Sequence, residues 1–303
     1  MATNKRAFWR YRLFQVPCLG LIASSLILLL CAQFNFGMPK VAVAIALDIS
    51  GSTQSAGQFN APGSIMSTAV EAVNAYLDTN AILKQPNHVK VIAMGGGKAP
   101  ELTKEFQGDI EAIKSELKKS IQDPKLPESI KPEPPQDDLN VVFQKANQSF
   151  ASVPNMCHEL VVVSDSGVNL SESTIDEAVG NKVRVSAIIF GGKDVNALQQ
   201  AATLTKGLYL SGNAGDFKQF FIDRFFPKFN SNLRWIIFWL GMTWIALMWV
   251  LILPLDIFLR KVMKYSLNFA GKFALNHAFF WTSLTPVIVW KLAEGLPFMN
   301  ACG

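Results

Sequence analysis

Lys40 to Ser52 reads KVAVAIALDISGS. After its first residue the run to Leu47 is wholly apolar, the pattern of a strand buried on both faces of a parallel sheet. It ends on Asp48-Ile49-Ser50-Gly51-Ser52, where a carboxylate and two hydroxyls fall on alternate residues and Gly51 lets the chain turn sharply. Outward from this stretch the pattern recurs. His88 to Met94 (HVKVIAM), Glu159 to Ser164 (ELVVVS) and Val183 to Phe190 (VRVSAIIF) read as further strands, and Leu208 to Leu210 as a short last one. Helical spacing of apolar residues fills the intervals at Ser64 to Leu77, Phe106 to Ile121, Leu139 to Phe150, Glu172 to Val179, Val195 to Lys206 and Phe217 to Phe226. Asp123 to Pro135 holds five prolines and reads as an exposed loop. This alternation predicts an α/β fold, a doubly wound, mostly parallel sheet with helices on both faces. In such sheets ligands sit beyond the carboxyl ends of the strands.

The flanks of this segment are of another kind. Val16 to Phe34 is 19 residues without a charge, and Trp235 to Leu255 is 21 more, marked by Trp235, Trp239, Trp244 and Trp249. Both match the length of a bilayer core. Phe273 to Trp290 is a third candidate, with Asn276, His277 and Pro286 inside it. Between Met38 and Asn232 there are 18 Lys and Arg against 21 Asp and Glu, whereas the rest of the chain carries 10 against 2. The overall +5 charge therefore belongs to the flanks and is no nucleic-acid footprint, which needs a basic face on the folded domain. Lys5, Arg6, Arg10 and Arg12 precede the first span, and Arg260, Lys261, Lys264 and Lys272 follow the second. The positive-inside rule makes both clusters cytoplasmic, leaving the middle segment on the outer side. Asp256 stands four residues before Arg260, the spacing of a local ion pair.

The division expected is a basic start and anchor over 1–37, a folded domain over 38–230, a transmembrane helix over 231–259, a basic loop over 260–272, and a third transmembrane or interfacial helix with tail over 273–303. The first segment lacks an Ala-x-Ala site and reads as an uncleaved anchor ahead of a signal peptide. Four cysteines in 303 residues make no disulfide scaffold. Cys157 and Cys302 both fall on the oxidising side, but nothing in the sequence pairs them, and free buried thiols are the expectation.

At the strand ends, Asp48, Ser50 and Ser52 form a set of hard oxygen donors with little charge, suited to a divalent cation such as Mg²⁺ or Mn²⁺. The third strand ends on Ser164-Asp165-Ser166-Gly167, a second carboxylate at the same edge. Gln136-Asp137-Asp138-Leu139 opens the helix before that strand. These residues resemble the von Willebrand factor A domain and its metal-ion-dependent adhesion site. The resemblance covers roughly Met38 to Phe226. By motif match it implies Asp48, Ser50, Ser52 and Asp165 as ligands of Mg²⁺ (or Mn²⁺ or Ca²⁺). Where the family has Gly-Gly-Thr-Asp-Leu this chain has Pro135-Gln136-Asp137-Asp138-Leu139, with Asp137 at the Thr position. Asp137 is then either a third carboxylate on the metal or the cap of a helix beginning at Asp138, and Gln136 or Asp138 remains an alternative ligand.

Other motifs carry less. His88, His158 and His277 are scattered, with no ligand partners at zinc spacing. Gly95-Gly96-Gly97-Lys98 lacks the phosphate-loop spacing, and Ser166 is not in a nucleophile elbow. Phe225-Phe226-Pro227 reads as a packing or interfacial anchor. The resemblance, in its membrane-anchored bacterial form, implies a binding module and no enzyme. It implies a multi-pass protein of the bacterial inner membrane with its domain on the periplasmic side. The metal there engages a partner protein's acidic side chain, in a scaffold or assembly role. The alternative is a constitutive subunit of a membrane complex, assembled through its spans, with a vestigial or structural metal site.

Overall fold

The computed structural model describes residues 12–34, 36–49, 64–95, 98–122, 139–165, 170–190, 196–212, 216–293, 295–298 and 302. The chain divides into two compact units, a helical one (Met1–Met38, Ser231–Ala301 and Gly303) and a domain (Pro39–Asn230 with Cys302).

The domain is an α/β layer structure. Its strands are β1 (Val41–Asp48), β2 (His88–Met94), β3 (Cys157–Ser164), β4 (Val183–Phe190) and β5 (Tyr209–Gly212), in the order β2-β1-β3-β4-β5. Every pairing is parallel. All eight residues of β1 and of β4 are buried; β1 is accordingly apolar up to Leu47, while β4 carries Arg184 and Ser186 on alternate positions of its first half. The helices are α2 (Ile65–Ile82), α3 (Ile110–Gln122), α4 (Leu139–Phe150), α5 (Glu172–Gly180), α6 (Asn196–Leu204) and α7 (Phe217–Phe220). A π-helical turn (Phe221–Phe225) and α8 (Phe226–Phe229) continue α7.

Two cores lie against the sheet. Val43, Ile45 and Leu47 of β1 pack with Met66, Val73 and Leu77 of α2, with α3 and with Phe217, Phe221, Phe225, Phe226 and Phe229. Ala42, Ala44 and Ala46, on the alternate positions, pack with Val142, Phe143 and Phe150 of α4 and with α5 and α6. Of the two readings of Phe225-Phe226-Pro227, packing or interfacial anchor, the structure shows packing: Phe225 and Phe226 are in the core, and Tyr76 meets Phe221 and Phe225 edge-on at 5.1 and 5.5 Å.

Two helix boundaries of the domain moved by four residues or more, the first being the end of α2, expected at Leu77 and found at Ile82. The helix expected from Phe106 begins at Ile110. The preceding chain instead covers the outer edge of β2, where Val89 and Gln107 exchange backbone hydrogen bonds and the Thr103 hydroxyl accepts from Val91 N–H at 2.8 Å. A bare edge strand would leave those groups open to stray pairing.

In the helical unit α1 is Arg12–Phe34, α9 is Leu233–Val250, α10 is Ile252–Lys261 and α11 is Leu267–Leu292. Phe14–Phe34 and Leu233–Val250 are long and apolar enough to cross a membrane; the latter spans about 27 Å at 1.5 Å per residue. The single span expected over Trp235 to Leu255 is broken at Leu251. Pro254 has no N–H for the Val250 carbonyl and its ring crowds that group, so a new helix starts with proline in its first turn. The Asp256–Arg260 pair is present. The third candidate lies inside α11, whose 26 residues suffice for length. Gly241 is pressed against Val289, and a Cβ there would sit 2.5 Å from its Cγ2. Trp249 donates to the Thr282 hydroxyl at 2.9 Å.

Candidate metal centre

The carboxyl edge of the sheet is built by the registers of its two central strands. Leu47 lies opposite Val163, so Asp48 and Ser164 come level one step on, with Asp165 just beyond. The ladder continues past β1, because Ile49 N–H donates to Met94 carbonyl at 2.8 Å and Ile49 is fully buried. Asp48 is thus clamped between β2 and β3 and only 1% exposed. The Ser164 hydroxyl, also buried, donates to Asp48 Oδ2. Asp165 is 9% exposed.

The helices that start at this edge are tied together. Asn140, in the first turn of α4, accepts through Oδ1 from Ser171 N–H and the Ser171 hydroxyl, each at 3.0 Å, and from the Thr174 hydroxyl. Ser171 is the N-cap of α5 and Ser64 that of α2. Leu139 begins α4 with its side chain buried.

Of the residues expected to hold a metal, the structure brings Asp48 and Asp165 to neighbouring strand ends. Ser50, Ser52 and Asp137 lie outside the described residues, as do Gln136 and Asp138. Among the described residues no three His, Cys, Asp or Glu side chains converge on one point. The donor chemistry fits a hard divalent cation: two carboxylates at adjacent strand ends, one buried and held in place by a hydroxyl. Ser164 was legible in the sequence only as part of the strand-end string. Its place opposite Asp48 follows from register, which sequence alone does not fix.

The opposite, amino edge of the sheet contains a polar network with no counterpart in the sequence reading. Glu159 is fully buried. Arg184 Nε donates to its Oε2 at 2.8 Å and the Ser186 hydroxyl to its Oε1 at 2.7 Å. Burial pushes the Glu159 carboxyl up to about 7, against the opposing pull of Arg184 and Ser186. Arg184 also stacks over Phe229 at 4.3 Å and donates through Nη1 to the Cys302 carbonyl at 2.5 Å. Cys157 and Cys302 form a disulfide across 145 positions, correcting the expectation of free thiols. Cys18 and Cys31 remain free. At the same amino edge Asn87, just before β2, donates to the Tyr76 hydroxyl at 2.9 Å and to Asn230 Oδ1 at 3.1 Å, while Asn80 brackets the Asn87 backbone. His158 stacks on Phe150 at 4.5 Å and is a packing residue.

No family model matches the chain. No curated protein matches it. Solved structures similar in fold include a von Willebrand factor type A protein from Catenulispora acidiphila, 17% identical, with a TM-score of 0.46 over 60% of this chain and 41% of that one. Another is an aerotolerance-related membrane protein from Bacteroides fragilis, 18% identical, TM-score 0.45, covering 59% of this chain and 95% of that one. A third is proximal thread matrix protein 1 of the mussel byssus, with a zinc-occupied metal-ion-dependent adhesion site, 19% identical, TM-score 0.44, covering 60% and 46%. The chain thus spans less than half the length of the first and the third.

Proposed function

We propose that this chain is a membrane-tethered binding module whose domain, residues 38–230, engages a partner protein through a divalent cation at the carboxyl edge of its sheet. The observation that carries the reading is Asp48, buried at the end of the central strand and held by Ser164 beside Asp165. Asp48, Ser50, Ser52 and Asp165 would hold the ion, with Asp137 either a further ligand or a helix cap. Bound there, Mg²⁺ (or Mn²⁺ or Ca²⁺) would offer an open position to a partner's Asp or Glu. The domain's own part is to fix the carboxylates before binding. The role in this reading is binding and not catalysis.

The disulfide supports the membrane arrangement. Cys157 belongs to the domain and Cys302 follows α11, so both occupy one compartment, and a persistent disulfide suits the periplasmic side. With a cytoplasmic start, α1 leads out, α9 leads in, and α11 leads back out.

Binding of the full chain to membrane-extract proteins in Mg²⁺ and in EDTA tests the reading. Chelator-sensitive capture that Asp48→Ala abolishes is the expected result; equal capture in both buffers overturns it.

A second reading, a constitutive subunit assembled through its spans, is favoured by the helical unit. Buried polar atoms of Trp239, Thr243 and Thr285 have no hydrogen-bond partner. Thr243 and Thr285 line a cavity of about 470 Å³ with Gly241, Trp244 and Trp281. Small and hydroxyl residues of this kind make helix–helix contacts in bilayers. That reading predicts a complex that survives chelator in detergent.

A further inference from the structure

Five large apolar side chains are exposed among the described residues of the domain: Ile65, Ile82, Val179, Leu204 and Ile222. The three most exposed are Ile82 at 79%, Leu204 at 53% and Val179 at 50%. They fall in the last turns of α2, α6 and α5. Each of these helices returns from the carboxyl to the amino edge of the parallel sheet, so all three apolar residues stand at the amino edge. An exposed lysine follows each one within two or three residues: Lys84 after Ile82, Lys182 after Val179, and Lys206 after Leu204. Lys40 is exposed at the same edge just before β1, and Lys228 reaches it to donate to the Gly207 carbonyl at 3.1 Å.

Lysines near helix ends complement the helix dipole, which accounts for charge but not for a bulky apolar neighbour left in water. Nor does it account for backbone conformation. Lys182 and Lys206 have φ of 56° and 62°, a left-handed position usually given to glycine or asparagine. Asp78 pairs with Lys114 at 2.6 Å, and Glu177 accepts from Asn147 at 3.0 Å.

The chain's connections converge on this edge as well. It enters the domain at Lys40, six residues after α1 ends, and leaves at Asn230, three before α9 begins. The disulfide brings Cys302, ten residues after α11, to Cys157 at the start of β3.

We propose that the amino edge of the sheet is a membrane-contact face. On it Ile82, Val179 and Leu204 insert among the lipid headgroups while Lys40, Lys84, Lys182 and Lys206 pair with anionic phosphates. Apolar residues flanked by lysines are the composition of interfacial protein surfaces, the lysine stems lying along the apolar zone with their ammonium groups at the phosphates. The contact holds the domain upright, so that the carboxyl edge with Asp48 and Asp165 faces away from the bilayer. The proposal rests on the membrane-tethered reading but not on the metal.

The full chain, in a Cys18→Ser, Cys31→Ser background, is placed in lipid nanodiscs with a fluorophore at Ile82→Cys, Val179→Cys or Leu204→Cys. A label at Glu172→Cys, exposed at the start of α5 on the opposite edge, is the reference. Discs contain nitroxide-bearing lipid in either phosphatidylcholine alone or a mixture with phosphatidylglycerol. The expected result is strong quenching at the three amino-edge positions in the anionic discs, weaker quenching in phosphatidylcholine, and little at Glu172→Cys. Lys84→Glu, Lys182→Glu and Lys206→Glu together should remove most of the anionic-lipid-dependent part. Equal quenching at all four positions overturns the proposal. So does its absence at the three edge positions, or label burial that arises only when membrane-extract proteins are added, which would assign the face to a protein partner. Failure of the chain to enter discs at all is a separate outcome that sinks the tethered reading and this face with it.

Discussion

At the amino edge of the sheet, Glu159 is surrounded by Arg184 and Ser186, Asn87 by Tyr76, Asn80 and Asn230, and Cys157 is bonded to Cys302. At the carboxyl edge Asp48 receives the Ser164 hydroxyl and has Asp165 alongside, and helices α2, α4 and α5 begin there. Among the described residues the amino edge carries one buried carboxylate, Glu159, and the carboxyl edge two at neighbouring strand ends, Asp48 and Asp165. Glu159 is met by a guanidinium from within the fold, and Asp48 by the Ser164 hydroxyl. A buried anion is costly unless matched. The Glu159–Arg184 pair is matched within the fold, whereas the proposed reading adds a cation at the carboxyl edge.

The comparison breaks most visibly at Arg184. Arg184→Ala leaves Glu159 buried without its partner and should cost about 3–5 kcal/mol, read as a lowered thermal midpoint of the domain. The pair's net contribution is much smaller than that, since replacing both members by apolar residues removes the desolvation cost too.

Glu159 itself sets a pH dependence. Its folded pKa lies above the ordinary 4.5, at about 7, so the folded state holds the proton more tightly. The stability this supplies is complete below 4.5 and is lost as pH rises through about 7. It amounts to roughly 3 kcal/mol for a shift of this size. Unfolding followed from pH 4.5 to 8 should show that decline in the wild-type chain and a flatter profile for Glu159→Gln.

Cys302→Ser should cost about 2–4 kcal/mol, and reductant should reproduce the loss in the wild type without adding to it in the variant. At the other edge, Mg²⁺ at a hundred times its Kd should raise the stability of the wild-type domain by about 2.7 kcal/mol. In Asp48→Ala that increment should vanish while the metal-free midpoint moves little. An unchanged Mg²⁺ response would remove the distinction between the edges.

Much of this organisation was legible residue by residue. The bounds of β2, β4 and α4 coincide with those read from apolar periodicity, because burial on both faces leaves a local signature. Asp48 and Asp165 were placed at the carboxyl edge of the sheet by the same logic. The break at Leu251 was missed, although Pro254 was its signal, because the apolar run continues unbroken across it. The late start of α3 was missed because Phe106 and its neighbours serve an edge strand that only the folded sheet supplies.

The sequence by itself determined the alternation of strands and helices and the apolar flanks, since each depends on spacing within some twenty residues, and the charge contrast between flanks and middle, which is a matter of composition alone. Only the tertiary structure decided that Cys157 meets Cys302, that Arg184 answers Glu159, that Ser164 orients Asp48, and that Ile82, Val179 and Leu204 share one edge. These pairings join positions from 25 to 145 apart. They exist because parallel strands in register bring remote segments level, a relation that no local pattern encodes.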